Sequence, residues 1–137
     1  MKYINRRLVE NIKSALKSFQ VIVVSGARQV GKSTMLKTEF SDFKYLSLDD
    51  YNILEQVRIS PGSLWKGYNK IIIDEVQKAP EILSMIKLLI DNSDKKIRFI
   101  LSESSNLLLQ KNVSESLAGS EIKWLHDKII CIPWYMV

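Results

Sequence analysis

Directly after the apolar run Val21-Ile22-Val23-Val24, the segment SGARQVGKST (residues 25–34) sets two glycines five apart and follows the second with a lysine and two hydroxyls. The pattern Gly26-x-x-x-x-Gly31-Lys32-Ser33 fits a phosphate-binding loop, because glycine has no Cβ and lets consecutive backbone N–H groups curl around an anion. A strand before the loop and a helix opening at its second glycine bring those amides and the positive end of the helix dipole to one point. By this reading Lys32 reaches the β- and γ-phosphates of a nucleotide, and the Ser33 hydroxyl binds Mg2+. The candidate nucleotide-binding set is Gly26, Ala27, Arg28, Gln29, Val30, Gly31, Lys32, Ser33 and Thr34.

The rest of the chain alternates strand and helix patterns. Leu8, Ile12, Ala15, Leu16 and Phe19 recur at helical spacing, which predicts an amphipathic helix over 6–18. VIVVS, KYLSLDD, KIIIDE and IRFILS read as strands, and KIICIP as a fifth. Between them GKSTMLKTEF, YNILEQVRIS and PEILSMIKLLIDN read as helices, the second stopped by Pro61 and Gly62 and the third opened by Pro80. Short helices are expected near 106–111 and 114–118. The third strand is apolar without alternation, as when helices cover both faces of a parallel sheet. The fold class is therefore α/β: a single three-layer domain over 1–137, with a mostly parallel sheet of about five strands.

The strand KIIIDE ends with two carboxylates, Asp74 and Glu75, at the phosphate edge of such a sheet. Asp74 suits Mg2+, which prefers oxygen ligands and keeps several waters. Glu75 is placed to orient or deprotonate an attacking water, which favours a hydrolase over a small-molecule kinase.

GARQVGKST, IIIDEVQKAPEIL, SSNLLL and SESLAG, in this order, resemble the AAA-superfamily P-loop ATPases of archaea and bacteria whose ATPase module is followed by a nuclease-like C-terminal domain. The resemblance covers about residues 1–119. It implies Walker A at 26–34, Walker B at 70–75 and a polar sensor position at Ser102. It also implies ATP and ADP as ligands with Mg2+, and Glu75, Lys32 and Ser102 as the catalytic set. Relatives of this kind run to several hundred residues, so the expectation is of a truncated member without the helical lid and the C-terminal domain.

Three departures bear on activity. Glu103 stands where the family tends to have glycine; its carboxylate either faces the phosphates, where two like charges 4 Å apart repel by about 4 kcal/mol at an effective dielectric of about 20, or points outward. Ser120 replaces the arginine of the family's LAGR, removing one candidate for stabilising transition-state charge. The tail 120–137 follows the family poorly.

Charge and composition leave room for rival readings. Twenty Lys and Arg against fifteen Asp and Glu give a net +5, which attracts phosphate-bearing ligands without proving nucleic-acid binding. One cysteine, Cys131, forms no internal disulfide and reads as a core residue, and one histidine, His126, cannot anchor a His/Cys metal cluster. Trp65, Trp124 and Trp134 are scattered and read as packing residues rather than a stacking platform. Neither a secretory signal nor a membrane span is seen, so a cytoplasmic location is expected. ATP is the expected partner, with a homo-oligomer or another protein open. Two alternatives to an ATPase remain: a catalytically weak nucleotide-binding or interaction module left by truncation, and a DNA-associated ATPase using the basic N-terminal helix.

Overall fold

In the computed structural model, residues 6–25, 31–92, 96–104 and 129–133 are described, with the backbone alone for 6, 25 and 129–133. Along this chain run α1 (Arg6–Ala15), β1 (Val21–Ser25), α2 (Lys32–Glu39), β2 (Lys44–Ser47), α3 (Tyr51–Ile59), α4 (Gly62–Trp65), β3 (Lys70–Asp74), a 3₁₀ turn (Val76–Lys78), α5 (Ile82–Asp91), β4 (Arg98–Glu103) and β5 (Ile129–Pro133). The five strands form one sheet in the order β2-β3-β4-β1-β5, and every pairing is parallel. The fold is α/β, as the alternation of patterns predicts.

Strand geometry explains why the apolar runs are continuous. Successive side chains point to opposite faces, and both faces are covered. Val21, Val23, Ile71, Ile73, Phe99 and Leu101 pack with α3, α4 and α5 through Val57, Trp65, Ile82, Leu83, Ile86 and Ile90. Ile22, Val24, Ile72 and Ile100 pack on the other face with Leu8, Val9 and Ile12 of α1 and Met35 and Leu36 of α2. Burying a residue the size of Leu8 or Ile12 contributes about 1.5–3 kcal/mol, and both are fully buried. Trp65 packs edge-on against Phe99, with ring centroids 5.5 Å apart.

Local differences from expectation have local causes. The first helix ends at Ala15 rather than 18, because Lys17 N–H bonds to the Ser14 carbonyl and Ser18 N–H to the Ala15 carbonyl, tightening the last turn. α5 begins at Ile82, two residues after Pro80, with Leu83 N–H bonded back to the Pro80 carbonyl in a preceding turn. α3 starts where Asp50 accepts from Asn52 N–H and Ile53 N–H, and it ends before Ser60-Pro61. The expected fifth strand is present as β5, where Cys131 lies opposite Val23. The helices expected near 106–111 and 114–118, and Leu117 to Ser120, Trp124, His126 and Trp134, lie outside the described residues.

This topology brings three strand ends together. β4 lies between β1, which leads to the glycine loop, and β3, which ends on Asp74. In open α/β sheets ligands bind beyond the carboxyl ends of the strands.

Candidate functional site

Gly31 marks the entry to α2 with φ 105° and ψ −16°, a left-handed conformation that side chains with a Cβ adopt only under strain. Lys32 is therefore the first residue of the helix, where unpaired backbone N–H groups and the helix dipole favour an anion. Gly26, Ala27, Arg28, Gln29 and Val30 lie outside the described residues. Lys32 is 2% exposed, and its Nζ donates to the Glu103 backbone carbonyl at 2.8 Å. An ammonium has three donors, so this bond spends one of them. Thr34 is exposed on the first turn of α2.

Asp74 is the centre of the arrangement. It is buried, and its carboxylate accepts four hydrogen bonds: Oδ1 from Ser102 Oγ at 2.5 Å and from the Glu75 backbone N–H at 3.0 Å, Oδ2 from Ser33 Oγ at 2.5 Å and from the Tyr45 hydroxyl at 2.5 Å. A carboxylate offers about four such acceptor sites, so a cation taken up directly by Asp74 would displace one of these donors. Burial on its own pushes the Asp74 carboxyl up; the donors Ser102, Ser33 and Tyr45, with the Lys32 charge, outweigh it and hold the group below the usual carboxylate range. The partner effect falls on Tyr45, whose hydroxyl is pushed well above its usual range by burial and by the Asp74 charge it faces. Since the Ser33 proton is committed to Asp74, the lone pairs of Ser33 Oγ are left for a cation. The hard oxygens of Ser33 and Asp74 fit Mg2+ by type.

Glu75 follows with φ 58° and ψ 45°, and it alone among the described non-glycine residues has positive φ. Such backbone strain persists only where the surroundings impose it and is concentrated at functional sites. The side chain is buried, and Oε1 accepts from Gln77 Nε2 at 2.7 Å and Ser104 Oγ at 2.9 Å. Gln77 Nε2 also reaches Ser104 Oγ at 3.1 Å, so Glu75, Gln77 and Ser104 form a closed triangle. Gln77 Oε1 is buried without a hydrogen-bond partner among the described residues.

The structure thus gathers Lys32, Ser33, Asp74, Glu75 and Ser102 at one sheet edge. Ser102 is buried with its hydroxyl turned onto Asp74, as a group that positions the carboxylate. Glu103 is fully buried, which rules out the alternative of an outward-pointing carboxylate. Sequence reasoning missed Tyr45, Gln77 and Ser104. For Tyr45 the only signal is strand pairing, since Ser47 sits opposite Asp74 in the β2–β3 register. Gln77 and Ser104 fall inside the motif segments quoted above, but nothing in their spacing points them at Glu75.

A family model described as an AAA domain matches residues 18–125. An uncharacterized protein of Mycobacterium tuberculosis is 28% identical over 116 residues, covering 83% of this chain and 26% of that protein. A probable transcriptional regulatory protein of Rickettsia bellii is 29% identical over 117 residues, covering 81% of this chain and 42% of that protein. This chain therefore spans about a quarter of the mycobacterial relative and less than half of the rickettsial one. Among solved structures, a Walker-type ATPase of Pyrococcus abyssi matches with a TM-score of 0.61 at 16% identity, over 96% of this chain and 53% of that one, a likeness of fold.

Proposed function

The chain belongs to the AAA domain family, and on that premise we propose that it binds ATP with Mg2+ and hydrolyses it to ADP and phosphate. The observation that carries this reading is the Ser33–Asp74 hydrogen bond, which ties the start of α2 to the end of β3. It brings the start of α2, with the buried Lys32, beside the carboxylates at the end of β3, which supports a reading in which one phosphate chain would meet all of them.

Each residue then has a role set by its surroundings. The backbone amides from Gly31 onward and the loop 26–30 cradle the phosphates, and Lys32 offsets their charge while one of its protons stays on the Glu103 carbonyl. Ser33 and Asp74 hold Mg2+, which supplies positive charge to the phosphate oxygens. Tyr45 and Ser102 keep the Asp74 carboxylate aimed and ionised. Glu75 accepts a proton from water as the water oxygen bonds to the γ-phosphorus and the bond to the bridging oxygen breaks, releasing phosphate and ADP. Gln77 and Ser104 fix the Glu75 side chain, and Gln77 Oε1 offers the water a second acceptor.

The test separates binding from turnover. Calorimetry with MgATP and phosphate release at saturating ATP are measured on the parent and on Glu75→Gln. Binding by both with release by the parent alone supports the reading. Equal release by Glu75→Gln removes Glu75 as the base, and binding without release by the parent leaves a nucleotide-binding module.

A further inference from the structure

The opposite end of the sheet carries a second concentration of charge. Where β3 and β4 begin, beside the C-terminal ends of α1 and α2, lies a cleft of about 610 Å3. Five cations line it, Lys13, Lys17, Lys70, Lys96 and Arg98, against two carboxylates, Glu39 and Asp42, a surplus of three positive charges. That surplus is more than half of the net +5 of the whole chain.

Three of these cations, Arg98, Lys70 and Lys13, are held in place by the fold. Arg98 Nε donates to the Leu16 carbonyl at 2.7 Å, and Nη1 to the Ile97 carbonyl at 2.9 Å. Lys70 pairs with Asp42 at 2.9 Å. Lys13 lies 5.9 Å from the centroid of the Phe40 ring, Lys70 5.9 Å from that of Phe43, and the neighbouring Lys44 5.2 Å from that of Tyr68. Rings beside the lysines hold the stems against apolar surface and leave the charged heads at the solvent edge. Tyr68 is 50% exposed. No linear basic-aromatic motif announces this edge, because each lysine and its ring come from different parts of the chain.

The kind of anion follows from energetics. Isolated carboxylates gain only about 0–1 kcal/mol from exposed pairs, and two carboxylates already sit in the cleft. A nucleic-acid backbone gains in addition from counterion release as its phosphates are neutralised, and a base can stack on the exposed Tyr68 ring beside Lys44. We propose that this cleft holds the phosphodiester backbone of a nucleic acid, at the sheet end opposite Lys32 and Asp74.

The test is fluorescence anisotropy of labelled single-stranded DNA of roughly 16 nucleotides, and of the matching duplex, without nucleotide, so that it stands apart from the fate of the ATP reading. The parent is compared with the double variant Lys13→Gln/Lys17→Gln, two exposed positions away from the nucleotide site, whose folding is checked by thermal melting and whose MgATP binding is expected to match the parent. With three phosphates neutralised, single-strand affinity falls about 18-fold between about 50 and 200 mM salt, and with one left it falls about 3-fold. The double variant is therefore weaker at low salt and flatter in its salt dependence. Three results overturn the proposal: neither DNA form binds at about 50 mM salt, the folded double variant keeps the parent's affinity and slope, or polyglutamate displaces DNA as well as unlabelled DNA does at equal charge.

Discussion

Ser33 and Asp74, forty-one residues apart, are joined by a 2.5 Å hydrogen bond from Oγ to Oδ2. The bond fixes the first turn of α2 against the end of β3 while β4 lies between the two parent strands. Because Ser102 and Tyr45 donate to the same carboxylate, the position of Asp74 is set from β4 and β2 as well as from α2.

The first consequence is a pH dependence of stability. The folded Asp74 carboxyl lies below its ordinary value of 3.8, so the unfolded chain takes up the proton at higher pH than the folded one. The contribution is fully present above 3.8 and is lost as the pH falls through the folded value. Asp74→Asn is expected to be less stable than the parent at neutral pH, with the difference shrinking below 3.8. Urea denaturation across pH checks this, and a difference that grows on acidification contradicts it.

Tyr45→Phe removes one of the four donors to Asp74 without changing the ring. Hydrogen bonds to charged groups contribute about 1.5–3 kcal/mol, so a half-buried hydroxyl here is expected to cost about 1–2 kcal/mol. Chemical denaturation reads the loss. A variant as stable as the parent would show that the other three donors suffice.

Gly31→Ala tests the entry to α2. A Cβ at φ 105° is expected to cost about 1–2 kcal/mol. If the strained turn serves the phosphate site, MgATP affinity falls together with stability. Stability unchanged from the parent would mean that the turn relaxes.

Sequence pattern alone locates one part of the site, and topology is needed for the other. Lys32, Ser33 and Asp74 were readable because each stands at the end of an element beside its own motif, and strand end plus helix start suffices to bring them together. The order β2-β3-β4-β1-β5 was not readable, since parallel strands buried on both faces share the same unbroken apolar run whatever their neighbours. Tyr45 followed the order into obscurity, because its hydroxyl reaches Asp74 only once β2 is known to pair with β3. Gln77 was hidden in the 3₁₀ turn Val76–Lys78, and Gly62–Trp65 forms a helix too short to show a period.

Glu103 bears on the rate. Its carboxylate is buried at the end of β4, while its carbonyl holds Lys32. Glu103→Gly removes the charge and keeps the carbonyl. With Glu103 in place and Ser120 where the resemblance expects arginine, parent turnover is expected at or below about 1 s⁻¹. Glu103→Gly is expected to raise MgATP affinity several-fold, and Ser120→Arg to raise turnover with affinity nearly unchanged. Phosphate release and calorimetry separate the two, and a parent turning over at tens per second contradicts the account.

Calorimetric titration of MgATP into the parent and into Lys32→Ala, with folding of both confirmed by circular dichroism, tests the nucleotide site at its one buried lysine among the described residues. A single site is expected in the parent and at least a tenfold loss of affinity in the variant, about 1.4 kcal/mol or more, since Lys32 carries the one buried ammonium beside the Ser33–Asp74 pair among the described residues. A folded Lys32→Ala chain that binds MgATP as tightly as the parent would contradict it.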